Sequence, residues 1–113
     1  MAYDEDLADR LRGALSDLDD ADGFTERAMF GGLAFMVGGH MAVCDSGQGG
    51  LMVRVDPTQT EALLAEPGVE PMEMKGRELA GWVRVDTDAV TTDEQLERWV
   101  RVGVAYVGSL PAK

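Results

Sequence analysis

The stretch from Arg27 to Val55, RAMFGGLAFMVGGHMAVCDSGQGGLMVRV, is glycine-punctuated, rich in methionine and almost free of charge, inside a chain that is otherwise strongly acidic. Short apolar runs cut by Gly-Gly pairs suit strands joined by tight turns better than helices. Leu33–Val37 reads as a strand, Gly38-Gly39 as a two-residue hairpin turn and His40–Cys44 as the return strand. Asp45-Ser46-Gly47-Gln48-Gly49-Gly50 then forms a loop, and Leu51–Val55 a third strand. A two-residue turn sets Met36 opposite Met41 and Ala34 opposite Val43, with Leu33 and Phe35 sharing the other face with Ala42 and Cys44. Both faces of this hairpin are then apolar. Either helices cover both, or helices cover one and a partner covers the other.

The flanking segments supply the helices. Leu7, Leu11, Leu15 and Leu18, with Ala8 and Ala14 beside them, make one apolar stripe over residues 4–18. Asp4, Glu5 and Asp6 lie in its first turn, where the helix dipole favours anions. Asp19, Asp20, Asp22 and Gly23 end it, and Phe24 to Phe30 is expected to run extended into the core, outside the strand count. Asp56 before Pro57 marks a second helix start, with a carboxylate N-cap and proline at the first helical position. That helix carries Leu63 and Leu64 and stops before Pro67-Gly68. Pro71–Lys75, a turn at Lys75-Gly76-Arg77 and Leu79–Val85 form a second hairpin that carries Trp82. Thr92 with Gln95 makes a capping box, and the last helix shows Leu96, Trp99, Val100, Gly103, Val104 and Val107 on one face, ending at Leu110-Pro111. The expected fold is α+β: a single 1–113 domain of two layers, α-β3-α-β2-α, with a five-strand antiparallel sheet.

Charge and length bound the function. The 113 residues fit one core. Ten Lys and Arg against 21 Asp and Glu leave a net charge of −11, which repels nucleic-acid backbones and anionic membranes and favours a basic partner or none. Cys44 stands alone, so no intramolecular disulfide forms. The acidic N-terminus does not resemble a signal peptide, and no apolar run approaches the roughly 20 residues that span a bilayer. The expectation is a cytoplasmic protein without nucleic-acid or membrane binding.

Tests for chemistry end without a catalytic, cofactor or metal site. His40 and Cys44, four apart on one strand, face the same side but are two ligands where zinc needs more. Asp20, Asp22 and Gly23 imitate part of a calcium loop whose first and twelfth positions, Leu18 and Met29, cannot ligate. Gly47, Gly49 and Gly50 lack the lysine and the following helix of a phosphate cradle. Ser46 and Cys44 lie near His40, yet Asp45 points away from Cys44 and no oxyanion hole is evident. Two clusters stay open as sites. Arg54, Arg77 and Arg84, around the second hairpin, are candidates for an anion-binding pocket, with pairing to the abundant carboxylates as the alternative. Met36 and Met41 are candidates for an interface, with core packing as the alternative.

Several of these residues resemble a known family. Met29-Phe30-Gly31-Gly32-Leu33-Ala34-Phe35-Met36, Gly39, Met41-Ala42-Val43, Leu51-Met52-Val53-Arg54-Val55, Pro71-Met72, Gly76-Arg77, Gly81-Trp82-Val83-Arg84-Val85, Trp99-Val100 and Leu110-Pro111 are similar, in order, to the N-terminal domain of the TfoX/Sxy family. The resemblance covers roughly residues 3–113 and implies the same α-β3-α-β2-α fold. It also implies a link to regulation of natural competence in bacteria, where full-length regulators add a C-terminal helical domain; this chain is similar to a stand-alone first domain. It transfers no catalytic residues. The expected function is a non-catalytic regulatory or protein-interaction domain with an unidentified protein partner and a tendency to homodimerise. The alternative is a small-molecule or anion-binding domain, or a weak enzyme, using the arginines.

Overall fold

The computed structural model describes residues 5–16, 24–29, 32–45, 50–74 and 76–110. The elements run α1 (Glu5–Ser16), β1 (Thr25–Met29), β2 (Gly32–Val37), β3 (His40–Asp45), β4 (Leu51–Arg54), α2 (Thr60–Leu64), β5 (Val69–Met74), β6 (Arg77–Val85) and α3 (Asp93–Gly108). The architecture is α+β, with one antiparallel sheet in the order β1-β2-β3-β4-β6-β5.

The sheet has six strands, not five. The added one is β1, which pairs with β2 from Thr25 opposite Met36 to Met29 opposite Gly32. The expectation that this segment enters the core is corrected for Thr25, Glu26, Arg27 and Ala28, which are exposed, whereas Phe24 packs against the core. An edge strand with a single neighbour needs no apolar alternation, so Thr-Glu-Arg-Ala gives no period-two signal. Phe24 anchors its start, its ring 6.2 Å from that of Phe35.

The local signals elsewhere act as expected. Gly38 and Gly39 close the β2–β3 hairpin with φ of 62° and 86°, the left-handed values that a primed turn requires. The Asp56 carboxylate accepts the Thr58 backbone N–H at 2.9 Å and the Thr58 hydroxyl at 2.8 Å. It caps a short 3-10 turn, Pro57–Gln59, which leads into α2. The Thr92 hydroxyl accepts the Gln95 N–H at 3.1 Å, and the Gln95 side chain accepts the Thr92 N–H at 3.1 Å. Leu18, the run from Asp19 to Gly23, Phe30-Gly31, the loop residues 46–49, Lys75 and Pro111 lie outside the described residues.

The three helices pack on one face of the sheet. Leu7, Ala8, Leu11, Ala14 and Leu15 of α1, Leu63 of α2 and Leu96, Trp99, Val100, Val104 and Val107 of α3 join Leu33, Phe35, Val43, Val53, Val83 and Val85 in one buried cluster. Gly103 allows the close approach of α3: a Cβ there would lie 2.5 Å from the Ala42 carbonyl oxygen. The acids of α1 are tied to the sheet edge through Arg12, which donates to both Glu26 oxygens at 2.6 and 2.8 Å.

The β2–β3 register departs from the simple hairpin. Met36 lies opposite Met41 as expected, but Ala34 lies opposite Cys44 and Phe35 opposite Val43, because the register shifts between Phe35 and Met36. β3 thus carries one extra residue, a bulge that keeps Ala42 and Val43 both toward the helices. Everything beyond it changes face. Cys44 therefore leaves the Leu33 and Phe35 face and joins Ala34, and His40 and Cys44 come to opposite sides of the sheet.

Candidate functional site

The sheet face away from the helices has its own cluster. Ala34, Met41, Cys44, Met52 and Met72 are buried in it, with Met36 and Trp82 half-buried at its margin, and no helix side chain among the described residues belongs to it. It is a strip rather than an open patch: Met41 and Met72 retain 8% of their surface and Cys44 none. Four methionines in the buried set and margin of one strip make an adaptable surface, since thioether chains are unbranched and polarisable.

Register places the arginines around this strip. Arg27 stands opposite Ala34, Arg84 opposite Met52 and Arg54 opposite Trp82, and opposed residues in antiparallel strands share a face. Glu70 stands opposite Arg84 on the outer side. Arg54 and Arg84 are diagonal neighbours across β4 and β6. Arg77 is not brought to them: it opens β6 beside Met74, seven residues from Arg84, or about 23 Å along a strand.

Arg54 has an unusual setting for a cation in so acidic a chain. Its guanidinium carbon lies 5.2 Å from the centroid of Trp82 and 5.4 Å from that of Tyr106 on α3. Among the described residues no ion pair involves Arg54. Two aromatic faces stand in for a carboxylate.

Cys44 offers no reactive thiolate. Burial, and then the negative charge of Asp45, pushes its thiol up to about 12, so the neutral form persists at physiological pH. Asp45 is fully buried at the end of β3. Ser46 lies outside the described residues. His40 is half-buried at the hairpin turn, opposite Val37.

A second concavity lies on the helical side. It is an open groove of about 560 Å³ between the Asp56–Gln59 turn and the face of α3 that runs from Arg98 and Arg101 through Val102, Ala105 and Tyr106 to Ser109. The Arg98 guanidinium donates to both Glu66 oxygens at 2.6 Å, whereas Arg101 has a looser partner, Glu97 at 3.6 Å. The groove could not be read from sequence, because its residues lie beside the apolar stripe of α3 and meet Asp56 and Gln59 only through tertiary packing. The available signal is the i, i+3, i+4 recurrence of Arg98, Arg101 and Val102 on one side of that stripe.

Residues 16–106 match the family model of the TfoX N-terminal domain. The chain belongs to the TfoX N-terminal domain family. No curated protein and no solved structure matches it. The match spans both sheet hairpins and nearly all of α3, so it takes in the whole methionine strip and every groove residue but Ser109. No helix among the described residues is long and apolar enough to cross a membrane.

Proposed function

We propose that this TfoX-type domain is a non-catalytic protein-interaction module that docks an acidic, amphipathic segment of a regulatory partner on the helix-free face of its sheet. The observation that carries this reading is the apolar strip that no helix side chain among the described residues joins, bordered by Arg27 and Arg84, with Arg54 at its end between Trp82 and Tyr106, in a chain of net charge −11. A local basic border on an acidic body selects partners of negative charge at the site while the remaining surface repels them, which favours specificity. Met36, half-buried at the margin, is the residue placed to meet the partner; Met41 lies deeper. Symmetric pairing of two copies through this face would bring like arginines toward one another, so self-association ranks below an acidic partner.

The test is selection of displayed random peptides against the wild-type domain and against Arg27→Glu and Met36→Glu. Both positions have solvent access, so both variants are expected to fold. Peptides with acidic residues around apolar anchors should be enriched on the wild type and lost on the variants. Enrichment insensitive to both substitutions refutes the proposal. Light scattering across micromolar concentrations checks the homodimer: a wild-type dimer made monomeric by Met36→Glu would assign the face to a second copy instead.

A further inference from the structure

The groove between the Asp56–Gln59 turn and α3 has walls of opposite character. On one side stands the Asp56 carboxylate, half-buried, with both of its hydrogen bonds, from the Thr58 N–H and hydroxyl, made to Oδ1. These two donors hold the carboxyl below its ordinary range, so the wall is anionic at neutral pH. On the other side stands Arg101, an exposed guanidinium whose i,i+4 partner Glu97 lies at 3.6 Å, longer than a good charge-assisted hydrogen bond. Val102, Ala105 and Tyr106 add apolar lining. Over the Tyr106 ring lies the Arg54 guanidinium, which no carboxylate among the described residues neutralises.

A simple anion in this groove would face Asp56, and a simple cation would face Arg98 and Arg101. A wholly apolar molecule would displace water from both charges without replacing its hydrogen bonds. We infer that the groove is a binding site for a small zwitterion with an apolar body, its ammonium group toward Asp56 and its carboxylate toward Arg101. Free amino acids with apolar side chains and short apolar peptides share that chemistry. Tyr106 supplies the surface on which an apolar or aromatic side chain stacks. The volume, about 560 Å³, falls within the ordinary range for small-molecule sites. The Arg98–Glu66 pair ties the α3 wall of the groove to the segment after α2.

The experiment is titration of the labelled domain, followed by backbone amide NMR shifts, with L-phenylalanine, the dipeptide Phe-Leu, N-acetyl-L-phenylalanine and L-phenylalanine amide. The two zwitterions should produce saturable shifts at Gln59, Arg101 and Ala105. The acetylated and amidated forms should bind at least about tenfold more weakly, the loss of one charge-assisted hydrogen bond. The tighter of phenylalanine and Phe-Leu identifies the source. In Arg101→Gln the preference for a free carboxylate should vanish while that for a free amine remains. In Asp56→Asn, which keeps an N-cap of equal rank, the reverse should hold. Absence of saturable shifts up to about 10 mM, beyond the millimolar affinities expected of so open a site, overturns the assignment. So does equal binding of all four compounds, or binding indifferent to both substitutions.

Discussion

Gly103→Ala tests how closely α3 is seated on the sheet. In an exposed helix interior, alanine in place of glycine stabilises by about 1 kcal/mol, because glycine loses more backbone freedom on folding. At Gly103 the added Cβ would lie 2.5 Å from the Ala42 carbonyl oxygen and 3.3 Å from Val43 Cγ1. The first neighbour is backbone in the sheet, so the helix must withdraw by about 0.9 Å to reach the 3.4 Å of ordinary contact. A gap of that size forfeits roughly a quarter to a half of the dispersion of each contact it opens. The α3 seam holds Leu96, Trp99, Val100, Val104 and Val107. Overpacking of this kind costs about 1–3 kcal/mol, toward the upper end where backbone must move, and the propensity gain offsets about 1 kcal/mol of it. The net expectation is a loss of about 2 kcal/mol.

The control is Gly13→Ala in α1, where nothing lies within 4 Å of the added Cβ; there the propensity term acts alone and stability should rise by about 0.5–1 kcal/mol. Urea unfolding followed by tryptophan fluorescence reads both, as shifts of midpoint at constant slope. Equal and stabilising effects at the two positions would refute the close seating of α3.

Trp99→Ala, which empties a side chain only 3% exposed, should cost about 3–5 kcal/mol in the same assay; a loss below about 1 kcal/mol would be that of a surface position. The Glu66 carboxyl is held below its ordinary range by hydrogen bonds from Arg98, and Glu26 likewise by Arg12. A depressed carboxyl stabilises above its unfolded pKa of about 4.3 and loses that contribution as pH falls through the lower folded value. The stability difference between wild type and Glu66→Gln should therefore be constant above about pH 5 and shrink as pH falls through the lowered folded value. Because both partners are a third or more exposed, its size should stay below about 1 kcal/mol. Cys44 should resist alkylation at pH 8 in the native protein and react readily in urea, since burial and Asp45 keep it protonated; rapid native labelling would contradict its place under the sheet face.

Much of the architecture follows from local rules that act within a few residues. The α1 and α3 core stripes, the Asp56 cap, the Thr92–Gln95 box and the Gly38-Gly39 turn are set by helical period, side-chain capping and the conformational freedom of glycine, and each stands in the structure as those rules require. The edge strand β1 escaped them because one neighbour and two wet faces impose no pattern on Thr25–Ala28.

Other features belong to the fold alone. Whether Cys44 faces the helices or the methionine strip depends on one extra residue in β3, and a bulge reverses facing without any mark in the apolar spacing. That the helices lie on one face, leaving the methionine strip on the other, is a matter of packing between distant segments. The groove is the clearest case, since Asp56 and Arg101 are 45 residues apart in the chain and meet only when α3 lies across β3 and β4. Sequence determines what each segment prefers through interactions of short range. Which segments share a surface, and hence which charges converge on one site, is decided by the tertiary packing that satisfies all those preferences at once.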